Sequence, residues 1–177
     1  MIFINKLYLV FIICIGYLIF ANYDKEIIIP EESLRFRIIA NSNNMEDQET
    51  KMKVKNNLEK ILPNIIGNSS NIVDIKSNIS NNIDILKDNI RRTLDKEKAF
   101  YKFDISLGKN YFPEKEVYNV KYPEGEYESL VISLGDAKGD NWWCVLFPPL
   151  CLVEAEETEE VEYKLYIKEI LDKYRQK

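Results

Sequence analysis

The chain has 177 residues, 46% hydrophobic and 12% aromatic, which is apolar material for one domain with a single core plus an appendage and too much for a disordered chain. Its 29 acidic and 24 basic residues leave a formal charge of -5, which argues against a nucleic-acid partner held by phosphate neutralisation. There is no histidine, so Ser-His and Cys-His nucleophile pairs and imidazole-bound metal sites are excluded, and with them the commonest hydrolase designs.

Residues 1–21 carry an uninterrupted apolar run from Leu7 to Ala21 behind a single cation, Lys6. That run has the length of a signal-peptide core; with Ile2, Phe3 and Ile4 added it approaches the roughly 20 residues of a spanning helix. Ile19-Phe20-Ala21 puts a large residue where a cleavage site wants a small one, so a signal peptide or an uncleaved signal anchor is expected, with the remainder exported. Lys6 before the run and Asp24, Glu26, Glu31 and Glu32 beyond it fit positive-inside orientation. Residues 22–33 read as a connector ended by Pro30, and the domain proper as 34–153.

Leu34-Arg35-Phe36-Arg37-Ile38-Ile39-Ala40 alternates, which predicts a strand with Leu34, Phe36, Ile38 and Ala40 inward. Arg35 and Arg37 then share the other face, read as solvated, with a grip on a partner carboxylate as the alternative. Asn41 to Asn44 break the strand, and Asn44 with Asp47 resembles a helix cap. A helix is predicted over 45–62, ended by Pro63, and a second over 72–94, where Ile72, Ile75, Ile79, Ile83, Leu86, Ile90 and Leu94 draw one apolar stripe. Strands are predicted at 100–107, 116–122 and 128–134, with turns at Gly108-Lys109-Asn110 and Pro123-Glu124-Gly125. The run 142–147 is expected to pair with 128–134 across the Gly135 to Asp140 loop. Pro148-Pro149 ends it. The acidic stretch from Glu154 opens a C-terminal amphipathic helix over 154–177, with Tyr163, Ile167, Ile170, Leu171 and Tyr174 as its packing stripe. The expected class is α+β: an antiparallel sheet with two helices on one face, a hydrophobic N-terminal helix and a C-terminal one.

Two of the three cysteines, Cys144 and Cys151, flank the double proline, and an exported domain would by default pair them; two buried free thiols are the alternative. Neither has a histidine to activate it, so catalysis is not expected there. The loop with Asp136, Lys138 and Asp140 lacks the elements of a phosphate cradle and reads as a hairpin turn. Trp142 and Trp143 are adjacent and point to opposite faces if extended, one inward and one available as an interaction anchor.

The segments Leu34 to Ser42, Glu46-Asp47-Gln48, Tyr122-Pro123-Glu124-Gly125-Glu126-Tyr127 and Asn141-Trp142-Trp143-Cys144-Val145-Leu146-Phe147-Pro148-Pro149-Leu150-Cys151 resemble the stage II sporulation protein R family of endospore-forming bacteria, over about Leu34 to Val153. The resemblance implies a signalling protein, not an enzyme. Such a protein is made in the forespore and exported into the space between the forespore and mother-cell membranes. There it activates a membrane-embedded aspartic protease that processes the mother-cell sigma factor precursor, pro-sigma-E. No cofactor, metal or small-molecule substrate is expected. The expected partner-binding residues are Trp142, Trp143, Asp136, Lys138, Asp140 and Asn141, with Arg37, Asn41 and Ser42 at the strand end. The competing readings are an exported cell-wall enzyme using carboxylates and a membrane-anchored structural protein of the spore envelope.

Overall fold

A computed structural model describes residues 8–17, 27–69, 71–117, 120–151 and 167–173. Its strands are β1 (Ile27–Ile28), β2 (Leu34–Ile39), β3 (Phe103–Phe112), β4 (Lys115–Val117), β5 (Val120–Tyr122), β6 (Gly125–Leu134) and β7 (Asn141–Phe147). The helices between β2 and β3 are α1 (Met45–Ile66), α2 (Ile72–Asn81) and α3 (Ile83–Lys96). Residues 8–17 and 167–173 are also helical.

The class is α+β, but the sheet is mixed rather than antiparallel. Its order is β3-β6-β2-β7, with β2 parallel to β6 and antiparallel to β7. The strand expected to pair with 142–147 was 128–134; instead β2 lies between them, and β6 and β7 touch β2 from opposite sides. An apolar run such as Val131-Ile132-Ser133-Leu134 says that it is buried, and cannot say which strand lies beside it.

The helices cover the face that carries Leu34, Phe36 and Ile38 of β2, Leu130, Ile132 and Leu134 of β6 and Leu146 of β7. Val54, Leu58 and Leu62 of α1, Ile75 and Ile79 of α2 and Leu86, Ile90 and Leu94 of α3 meet them. Three helices lie there, not two, because the stripe over 72–94 is interrupted at Asn82. That residue caps both α2 and α3, and its Nδ2 donates to the Asn78 carbonyl at 2.8 Å, an asparagine side chain competing with the helical ladder. α1 in turn runs past Pro63 to Ile66. The proline forfeits only its own N–H bond, its carbonyl still accepts from Gly67 N at 2.9 Å, and Gly67 at φ +61° ends the helix.

β3 is longer than expected and runs through Gly108-Lys109-Asn110, which pair with Ser129, Glu128 and Tyr127 of β6. Asn110 Nδ2 donates to Ser129 Oγ at 3.0 Å, so turn-forming residues are absorbed into a ten-residue ladder. The stretch 116–122, expected as one strand, belongs to two, β4 and β5, paired antiparallel. β5 also pairs in parallel with β1, inside the stretch read as connector. This small sheet contributes Ile29, Val120 and Tyr122 to a second cluster with Val145 and Leu150, which Ile167 and Leu171 of the C-terminal helical residues complete. Among the described residues no helix is long and apolar enough to cross a membrane. Much of the expected N-terminal anchor and all of the acidic block 154–160 lie outside the described residues.

Phe36 is fully buried and meets Trp142 edge to face, with ring centroids 5.5 Å apart. Phe36→Ala is therefore expected to cost about 3–5 kcal/mol of stability, whereas Met45→Ala, at an exposed helix start, should stay within about 0.5 kcal/mol of the parent. Chemical denaturation followed by tryptophan fluorescence measures both.

Candidate functional site

Where β2 ends, two polar loops lock together. Lys138 N donates to the Asn41 carbonyl at 3.1 Å and Gly139 N to the Ala40 carbonyl at 2.9 Å. Asp136 N donates to Asn41 Oδ1 at 2.8 Å and Asp140 N to Asn43 Oδ1 at 2.6 Å. Lys51 of α1 donates to the Asp140 carbonyl at 3.1 Å. The loop backbones approach so closely that a Cβ at Gly139 would overlap the Ser42 carbonyl, and one at Gly135, where φ is +58°, the Asn41 carboxamide. Asp47 is drawn into the same network. Rather than Asn44 capping α1 with its side chain, Asp47 Oδ2 accepts from Asn41 Nδ2 at 2.8 Å and from Ser42 Oγ at 2.6 Å, and Ser42 Oγ accepts from Asn44 N at 3.1 Å. Asn41 and Ser42 thus hold the loop, while Asp136 and Lys138 form an exposed ion pair at 2.9 Å that lowers the Asp136 carboxyl and raises the Lys138 ammonium.

The tryptophans fall on opposite faces of the sheet, as alternation requires. Trp142 lies on the helix side against Phe36, with the Lys55 ammonium 5.4 Å from its ring centroid. Trp143 lies on the other side, edge to face with Phe112 at 5.2 Å, the Lys115 ammonium 5.3 Å from its centroid. Both are half-buried.

That second face is not the solvated arginine face expected of β2. Arg35 is 1% exposed, its guanidinium carbon 3.3 Å from the Tyr127 ring centroid and 5.4 Å from that of Phe112. It donates to the Pro123 carbonyl at 3.3 Å, while its Nε and Nη2 are buried with no acceptor among the described residues. The small sheet, through Tyr122, closes over it. Arg37 is half-buried: it stacks 4.6 Å from the Phe112 centroid and donates to the Tyr111 carbonyl at 3.3 Å, and its Nε is buried without an acceptor. Burial pulls Arg35, Arg37 and Lys115 below their ordinary pKa values, opposed by Tyr127 at Arg35 and by Asp140 at Lys115.

Sequence reasoning expected Arg37 and one of the two tryptophans on this face and missed Phe112, Tyr127, Lys115 and Tyr111. Only Tyr127, in Glu124-Gly125-Glu126-Tyr127, stood in a segment singled out, and it is pairing of β3 with β6 that brings Phe112 near it, rings 6.3 Å apart. Cys144 and Cys151 are joined as a disulfide with Cα atoms 5.5 Å apart. An apolar cleft of about 250 Å³ lies beside them between Leu62, Pro63 and Ile66 of α1 and Leu146 and Pro149; its one carboxylate, Glu59, is paired with Lys55 at 3.1 Å. Among the described residues no group of three or more Cys, Asp or Glu is placed to hold a metal ion.

A family model described as Stage II sporulation protein R matches residues 30–157. A protein of Bacillus subtilis (strain 168) named Stage II sporulation protein R is 34% identical over 139 residues, covering 78% of this chain. The chain spans 62% of that relative's length. No solved structure matches.

The loop interlock separates two kinds of substitution. Gly139→Ala forces the loops apart and is expected to cost about 1–3 kcal/mol, while Lys138→Ala, which removes only an exposed ion pair, should leave the denaturation midpoint unchanged. Equal losses from both would show that the loop is not held by its close backbone approach.

Proposed function

The chain belongs to the stage II sporulation protein R family, and on that premise we propose that it is an exported signal of sporulation that switches on a membrane-embedded aspartic protease. In this reading the domain lies in the space between the forespore and mother-cell membranes, delivered and possessed of an optional tether by residues 1–21. It binds the extracytoplasmic side of the protease, which then removes the pro-sequence of pro-sigma-E. The chain acts as a ligand and not as the catalyst.

The observation that carries the reading beyond family membership is the second sheet face, where Arg37 and Trp143 present charge and aromatic surface already held in place by Phe112 and the Tyr111 carbonyl. A preorganised surface of this kind loses little conformational entropy on binding. Activation then follows by population shift: a ligand that binds the active arrangement roughly 10⁴-fold more tightly than the inactive one moves a 1:99 equilibrium to 99:1. A cell-wall enzyme using carboxylates is the competing reading: the apolar cleft offers it only Glu59, paired with Lys55, whereas a polar cleft of about 670 Å³ beside α3 offers Asp95 and Asp104 among Lys87, Arg91 and Lys102.

Co-expression of the full chain, the protease and pro-sigma-E in a host with no other sporulation proteins tests the proposal. Shortening of the precursor is expected only when all three are present and only with the protease's catalytic aspartate intact. A precursor that keeps its length when the chain is added defeats the reading.

A further inference from the structure

The second sheet face concentrates positive charge in a chain whose net charge is -5, so the patch is not a by-product of composition. Arg35 and Arg37 sit two residues apart on β2 and point the same way, and Lys115 flanks them beyond Trp143. Among the described residues neither arginine meets a carboxylate. Their hydrogen bonds go to the backbone carbonyls of Pro123 and Tyr111, their remaining contacts are aromatic rings, and three of their nitrogens are buried with no acceptor. Two carboxylates border the patch. Asp140 acts on Lys115, and Glu124 accepts from the Tyr111 hydroxyl at 3.4 Å.

Among the described residues the Arg35 guanidinium has no carboxylate counter-ion, which makes it expensive to bury, and an apolar side chain of similar volume would pack against Tyr127 and Phe112 at lower cost. What Arg35 supplies that such a side chain cannot is a positive charge in low dielectric beside Arg37, two residues along the same face of β2, which favours an anion seated on Arg37. Arg37 in turn is oriented by stacking on Phe112, with Trp143 directly across the ladder on one side and Val131 on the other. Tyr111, 57% exposed, stands at the rim.

Resting on the reading above, we propose that this face docks an acidic segment of the protein partner, with a carboxylate paired to the Arg37 guanidinium and a neighbouring apolar side chain of the same segment laid on Trp143. A planar guanidinium stacked on an aromatic ring, as Arg37 is on Phe112, suits a carboxylate, which it can meet through two parallel N–H bonds. Anionic lipid is instead gathered by clusters of solvated lysines and arginines, and here one of the three cations is sealed in and the other two are half-buried. The depletion of unpaired acidic groups and the presence of Trp, Tyr and Arg at one spot are also what a protein–protein anchor requires.

The test uses the full chain and synthetic peptides covering the extracytoplasmic loops of the protease, each made with its Asp and Glu residues and again with Asn and Gln in their place. Arg37→Gln removes the charge and keeps a polar side chain, and Arg92→Ala on the outer side of α3 serves as the control. One or more acidic peptides should bind the parent chain, with affinity falling as salt rises, and Arg37→Gln or the amide peptides should bind at least about 10-fold more weakly, with Arg92→Ala unchanged. Unaltered thermal melting of Arg37→Gln ensures that the loss is one of contact. Equal binding by Arg37→Gln, equal binding of amide peptides, an Arg37 requirement seen only on phosphatidylglycerol vesicles, or self-association abolished by Arg37→Gln would each overturn the proposal. If precursor processing responds to the chain but ignores Arg37→Gln, this inference falls and the signalling role stands. If acidic peptides bind through Arg37 but processing never responds, the reverse holds.

Discussion

Everything in this molecule depends on β2 lying between β6 and β7, where both of its edges are hydrogen-bonded and both of its faces are occupied. Its even-numbered residues, Leu34, Phe36 and Ile38, are fully buried under the three helices. Its odd-numbered residues, Arg35 and Arg37, enter an aromatic box on the reverse side. Because the side-chain period of a strand is two, a register slip of one residue would put the arginines into the apolar core and the phenylalanine among the cations. Neither exchange is tolerable, so core and candidate binding face specify each other.

The strand also delivers its C-terminal end to the loop that precedes β7. Asn41 and Asn43 satisfy backbone donors of that loop with their side chains, and Gly135 and Gly139 allow the approach. A loop read from sequence as a hairpin turn, with residues expected to bind a partner, is thereby also hydrogen-bonded into the scaffold. Polar residues of unlike kinds thus occur together for different reasons: Asn41, Ser42 and Asp47 bond one another and the loop, whereas Arg37 and Trp143 lie half-buried against Phe112 on the sheet face opposite the helices.

The distinction between legible and illegible features follows the range of the interaction that decides them. The alternation of Leu34 to Ala40, the helical stripes and the opposition of Trp142 and Trp143 are local periodicities, and they are present in the structure as the residues suggest. Pro63 and Gly108-Lys109-Asn110 carry local signals that were overridden. In α1 the helix continues because one lost N–H bond costs less than ending a helix whose next turn still packs Ile65 and Ile66 against the core. In β3 ten ladder pairs with β6 outweigh a turn preference. Asn82 went the other way, a local break hidden inside an unbroken apolar stripe.

By itself the sequence determined the class of the fold, the helix-facing set of β2, the absence of histidine chemistry and the family, because these depend on composition, on periodicity and on residues adjacent in the chain. Only the tertiary structure decided that β2 is central, that the sheet is mixed, that Arg35 is buried against aromatic rings and that Phe112, Tyr127 and Lys115 stand around Arg37 and Trp143. Residues between 35 and 143 meet there through strand pairing across intervals of about a hundred residues, and the pattern of one strand holds no information about which other strand will lie beside it.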